Sequence, residues 1–267
     1  KGEEVVDIVL DKNPELEEVT VVQKNKGTYI SKINPISTQH INGAELHKAA
    51  CCNLSESFMT NPSVDVSYSD AITGAKQIKL LGLDGTYSQL QTENFPNLRG
   101  LATNYGLTYI PGPWLESIQV SKGAASVVNG YESITGQINA NYKKPDAEEA
   151  FHFNLFGSAD GKTEINSNFS LKLSEKVSTN FFIHGENFQN RIDHIEDGFL
   201  DEPLVKQIHL FNQWKYNSGT GFMVHSGIRY LNETRIGGQT DFRKNMEQNK
   251  LSPYGVSINN ERFEGYL

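Results

Sequence analysis

No apolar run in this chain of 267 residues approaches the roughly 18–20 residues that a membrane-spanning helix needs, so a helical membrane protein is excluded. A β-barrel is not excluded by that shortage. It crosses with segments of about 10 residues whose alternate side chains are polar, and averaging hides them. Cysteine is nearly missing: Cys51 and Cys52 are adjacent and alone, which rules out a disulfide framework. Positive charge is also short, with 24 Lys and Arg against 32 Asp and Glu, and a net charge of −8 gives no basic face for nucleic acid. Catalytic fingerprints are absent as well. Gly123-Ala124-Ala125-Ser126 lacks the order of a nucleophile elbow, and no phosphate-binding or dinucleotide-binding glycine pattern occurs, so no enzyme is expected.

What is present centres on Gly112–Pro145. Two alternating runs, Leu115–Val120 and Gln137–Tyr142, read as short strands. Between them Gly123, Gly130 and Gly136 mark a turn-rich segment where φ > 0 or close backbone approach is cheap. The spacing of Glu116, Ile118, Val120, Gly123, Ser126, Gly130, Gly136, Ile138-Asn139 and Pro145 resembles the end of the plug domain of TonB-dependent outer-membrane receptors, where plug passes into barrel. Ser117, Ser121 and Asn129 depart from the commonest residues of that pattern without disturbing its spacing. Further upstream, Gly82-Leu83-Asp84-Gly85-Thr86-Tyr87 resembles another plug segment, although Leu81 stands where the family usually has Arg.

The resemblance implies an α+β plug followed by the start of a transmembrane antiparallel β-barrel of about 22 strands when complete, with five or six in this chain. It divides the chain into residues 1–15, the end of an N-terminal extension of the carboxypeptidase-regulatory-like kind, for which a plain N-terminal arm is the other reading; 16–145, the plug; and 146–267, the first barrel strands. Lys1-Gly2-Glu3-Glu4 opens without a signal peptide, and Asn260–Leu267 ends as a strand without a turn, so a fragment is expected. A helix is expected from Asn42, as N-cap, to about Met59, with Leu46, Ala49, Ala50 and Leu54 on one stripe.

After Pro145 the pattern turns to period two over Phe151–Phe156, Ile165–Leu173, Val177–Glu186, Ile208–Tyr216 and Phe222–Tyr230. A sheet between lipid and a wet lumen has this alternation, and so does a soluble sandwich. The connections separate the two. Leu173–Val177 and Asn217–Thr220 are tight, whereas Phe188–Leu204 and Glu233–Asn259 are long and polar, as periplasmic turns and external loops are. His184, His209, His225 and Arg229 are expected to line the wet side, and Trp214 and Tyr216 to sit in an aromatic girdle.

By resemblance, Glu17, Glu18, Val19, Thr20, Val21 and Val22 form the TonB box, an extended segment that adds as a strand to a TonB-type energy-coupling protein; an ordinary first plug strand fits the same residues. The resemblance also makes Asp84, Tyr87, Arg99, Asn104, Tyr105 and Tyr109 candidates for plug loops that meet the ligand, against the plainer reading that they pack on the wall. Two metal readings come from the residues. His47 and Cys51, four apart with Cys52 beside them, would suit Cu(I) or Zn(II), against the plainer reading of small residues packing the plug; a vicinal disulfide is a third reading. Asp193, Glu196, Asp197, Asp201 and Glu202 offer oxygens for Ca²⁺, without EF-hand spacing. The expected setting is the outer membrane of a Gram-negative bacterium, of the Bacteroidota. The expected activity is TonB-driven import of a metal or metal chelate such as a siderophore, cobalamin, haem or copper. Import of a glycan with a surface lipoprotein as partner, or a surface-binding β-protein that does not transport, are the alternatives.

Overall fold

The computed structural model describes residues 28–30, 38–48, 53–58, 64–99, 103–125, 132–147, 149–247, 249 and 251–267. The expected TonB box Glu17–Val22 and Cys51 and Cys52 lie outside them, as does the His47 side chain. Among the described residues no helix is long and apolar enough to cross a membrane.

The first body is a small α/β domain. Its strands are β1 (Thr28–Ile30), β2 (Thr38–Asn42), β3 (Asp65–Asp70), β4 (Ala75–Lys79), β5 (Ser88–Thr92), β6 (Phe95–Pro96), β7 (Leu115–Lys122) and β8 (Gly136–Tyr142). One six-stranded sheet has the order β1-β2-β7-β8-β5-β6, and β3 and β4 form a separate hairpin. The motif strands β7 and β8 pair antiparallel at the centre, and β8 pairs parallel with β5. Gly136 is required by contact: a Cβ there would collide with the Ser121 carbonyl oxygen.

The single long helix expected after Asn42 is not formed. Asn42 does cap α1 (Gly43–Lys48), its Oδ1 accepting from Glu45 N at 3.1 Å. A second helix, α2 (Leu54–Ser57), then starts anew at Asn53, which is extended at φ −145° and ψ 173°. Asn53 Oδ1 accepts from Ser55 N at 3.1 Å and Glu56 N at 3.3 Å, so this residue acts as an N-cap and cannot lie in a helix interior. The candidate pair His47 and Cys51 lies before this break, with Cys51 outside the described residues. A third short helix, α3 (Thr103–Gly106), follows β6.

The second body is one antiparallel meander: β9 (Phe151–Gly157), β10 (Thr163–Lys172), β11 (Val177–Phe188), β12 (Leu204–Asn217), β13 (Met223–Gly238) and β14 (Gly255–Tyr266). Its two faces are inverted relative to a soluble protein. Outward point Phe151, Leu155, Ile165, Ile183, Ile208 and Ile228, between 41% and 63% exposed. Inward, and buried, are Glu164, Asn166, Asn168, Asn180, Gln207 and Gln213. A soluble sandwich would bury the first set and wet the second. Here the polar face packs on the α/β body and, among the described residues, no protein layer covers the apolar face, as in lipid. Trp214 and Tyr216 lie near the short turns, Tyr216 edge-on to Phe222 at 6.3 Å.

The long loop 189–203 is as expected, but that expected over Glu233–Asn259 is shorter. β13 and β14 stay paired from Gly227↔Tyr266 to Gly238↔Gly255, leaving residues 239–254 as the loop. The polar composition of this stretch resembles a loop because Glu233 and Arg235 face the plug.

Candidate functional site

The two bodies meet through an aromatic centre and a polar clasp. Trp114, fully buried, follows the turn at Gly112-Pro113 and leaves the plug for the wall. Its ring lies 5.1 Å from Phe182 and 4.7 Å from His209, with Tyr142 at 6.3 Å on the plug side. The Arg229 guanidinium covers Phe211 at 4.5 Å and Tyr142 at 5.1 Å, and pairs with Glu264 at 3.5 Å. His184 and His209, direct partners across β11 and β12, are buried here against Trp114. They line the plug interface and not an open lumen, whereas His225 is exposed.

The clasp lies toward the long-loop end. Tyr109 donates its hydroxyl to Glu233 Oε2 at 2.6 Å. Burial first, and then the Glu233 charge, raise the Tyr109 phenol well above its ordinary value. Arg235 donates to Glu233 Oε1 at 2.6 Å and to the Thr73 carbonyl at 3.1 Å, and lies 5.4 Å from the Tyr105 ring centroid. Thr73 belongs to the tip of the β3–β4 hairpin. That tip sits so close to β13 that a Cβ on Gly237 would collide with the Ile72 carbonyl oxygen. Between this tip, α2 and the wall opens a cavity of about 350 Å³, lined among others by Asn53, Tyr68, Thr108, Lys162, Glu202 and Arg235.

Of the six plug-loop candidates, Tyr105 and Tyr109 come together in the clasp. Tyr105 donates its hydroxyl to Thr73 Oγ1 at 3.2 Å. The other four lie apart. Asp84 caps its own turn, with Thr86 N donating at 3.0 Å, and that backbone hydrogen bond holds its carboxyl below the usual range. Exposed Tyr87 holds the segment after Gly130 by its carbonyl, which accepts from Thr135 N at 3.0 Å. Arg99 pairs with Glu132 at 2.8 Å, and Asn104 lines a separate small cavity beside Gln77 and Ile138. Glu233, Arg235 and Trp114 were not singled out from the sequence. Glu233 and Arg235 fall in the stretch that composition assigns to a loop; Trp114 carried a signal, a large aromatic directly after Gly-Pro at the head of the motif.

The acidic loop turns its carboxylates inward on its own backbone. Asp193 accepts from Asp197 N at 3.1 Å and Gly198 N at 2.8 Å, and Asp197 from Phe199 N at 2.8 Å. Asp201 accepts from His194 N and faces His194 Nδ1, each at 2.8 Å; those hydrogen bonds hold its carboxyl below the usual range. Glu196, at φ 59°, occupies the left-handed region. Among the described residues no three or more His, Cys, Asp or Glu gather as a metal site.

A small α/β body closing the polar, concave face of an antiparallel sheet whose other face is apolar is the architecture of a plugged outer-membrane barrel. Residues 32–137 match the TonB-dependent receptor plug domain. No curated protein matches the chain. Among solved structures, FpvA of Pseudomonas aeruginosa with a ferric pyoverdine bound is 16% identical, covering 88% of this chain and 32% of its own, with TM-score 0.66. The siderophore receptor PiuA of Acinetobacter baumannii is 15% identical, over 76% of this chain and 27% of its own, with TM-score 0.60. The ferric enterobactin receptor PfeA of Pseudomonas aeruginosa is 16% identical, over 80% and 36%, with TM-score 0.61. The chain thus spans about a quarter to a third of these solved receptors. Its residues 32–137 are thus similar to the plug of TonB-dependent receptors, and its fold is that of a plug with the first strands of a barrel.

Proposed function

We propose that the protein imports a scarce metal chelate across the outer membrane of a Gram-negative bacterium, driven by a TonB-type protein, and that it performs no chemistry on its cargo. The inverted sheet carries this reading: an apolar face without a protein layer and a polar face filled by a plug suit a gated pore through lipid. Relatives of the same fold support the cargo class. FpvA is a pyoverdine outer-membrane receptor, and PfeA a receptor for ferric enterobactin. Beside the aromatic centre, the wall face turned to the plug buries Asn166, Asn168, Asn180, Gln207 and Gln213, whose hydrogen bonds exchange for water more readily than an apolar core opens. Glu17–Val22 would supply the strand on which the coupling protein pulls.

The test is radioiron uptake from a panel of ferric chelates by cells whose only receptor is the full-length protein. Deleting Glu17–Val22 should abolish uptake and leave surface binding in place. Uptake that survives the deletion, or a panel of which no member enters, would overturn the proposal.

A further inference from the structure

The cavity between the β3–β4 tip, α2 and the wall opens at the end of the sheet where the long loops lie, and its charge is lopsided. Three cations against five carboxylates leave its lining two charges negative. Two of the cations are already neutralised by the protein. Lys162 Nζ stands 2.7 Å from Glu164 Oε1 and 3.4 Å from Glu186 Oε1. Arg235 is held by Glu233 and by the Thr73 carbonyl. Lys76 donates to Ser55 Oγ at 3.3 Å and lies 5.6 Å from the Tyr68 ring centroid. The carboxylates at the mouth are not balanced in this way. Asp160 and Glu202 are exposed, and no described residue forms a salt bridge with either. The adjoining loop adds Asp193, Glu196 and Asp197 against Arg191 alone, with His194 facing Asp201.

A cleft lined by one sign of charge repels ligands of that sign and concentrates their opposites. Chelates of Fe(III) differ sharply in this respect. Each catecholate brings two negative charges, so the tris-catecholate complex is a trianion; each hydroxamate brings one, so the tris-hydroxamate complex is neutral, and a free amine makes it cationic. We propose that this cavity takes neutral or cationic chelates of the hydroxamate kind and disfavours polyanionic ones. The proposal rests on the import reading and narrows its substrate. Ser158 and Thr108 supply hydroxyls, and Tyr68 an aromatic face, for such an oxygen-rich, weakly charged ligand.

Full-length receptor in detergent, titrated calorimetrically with ferric desferrioxamine B (an amine-bearing tris-hydroxamate) and with ferric enterobactin (a tris-catecholate), tests this. At about 50 mM salt the cationic chelate should bind at least roughly ten-fold tighter, and the gap should shrink at about 500 mM as screening shortens. The double substitution Asp160→Asn and Glu202→Gln should narrow the low-salt gap at least about three-fold without changing Tm. Equal or tighter binding of the trianion, a gap that the substitutions leave unchanged, or binding of neither chelate would each overturn the proposal. The deletion of Glu17–Val22 judges the import reading separately, because it reads uptake from the whole chelate panel and not the preference between two ligands.

Discussion

Arg235 is the side chain on which most of the plug–wall clasp depends, since it touches β13, the hairpin tip and Tyr105 at once. Removing it strands Glu233, whose side chain is fully buried, without its cation. An uncompensated buried charge costs about 3–5 kcal/mol. Arg235→Ala should therefore loosen the hairpin tip and hasten amide exchange at Ile72–Ala75 in the full-length receptor, with the barrel strands unaffected. Trp114→Ala removes the largest fully buried side chain and should cost about 3–5 kcal/mol of plug docking, read as earlier release of the plug in urea. His194 and Asp201 give a pH signature. The Asp201 carboxyl lies below its ordinary value of 3.8 because His194 N and then Nδ1 hydrogen-bond to it. A depressed acid contributes stability that is complete above the ordinary value and disappears as pH falls through the lowered one. Protection of the His194 amide should accordingly persist at pH 5 and fade below about pH 4.

At the scale of elements, the strands of the wall were legible because their period of two needs no tertiary information. The plug motif was legible for a different reason: β7 and β8 must approach so closely at Gly136 that no other residue fits. Gly136→Val should break the β7–β8 register and leave the receptor unable to protect its plug from protease, while heat-resistant barrel mobility on gels is retained. The helix after Asn42 was misread because an apolar stripe continues through it; the interruption is local, made by the Asn53 side chain bonding its own backbone, and such competition leaves the hydrophobic period intact. The end of β13 and the start of β14 were misread for the opposite reason. Glu233 and Arg235 are polar because they clasp the plug, and composition cannot tell a buried ion pair from a solvated loop. The candidate contacts on the plug divided for a similar reason. Tyr105 and Tyr109 reach the wall only because the β3–β4 hairpin and β13 converge from residues more than 100 positions apart, and no local pattern encodes that meeting.

The molecule as a whole is a polar sheet face wrapped on a stopper, with an apolar face turned to lipid. β9 and β14 each pair with one neighbour in this chain, so the slice has two open edges that a complete barrel would close. Ile228→Arg, placed on the outer face, should destabilise refolding into lipid vesicles by about 2–4 kcal/mol if the residue lies near the bilayer midplane. The most direct measurement is a single-cysteine spin-label scan along β12 from Lys206 to Tyr216, in full-length receptor carrying Cys51→Ser and Cys52→Ser and reconstituted in bilayers. Labels at Ile208, Leu210, Asn212 and Trp214 should collide with oxygen dissolved in lipid, and those at Gln207, His209, Phe211 and Gln213 should be shielded from it, alternating with period two. Uniform shielding on both faces, or preferential contact with a water-soluble relaxer at Ile208 and Leu210, would contradict a lipid-facing wall.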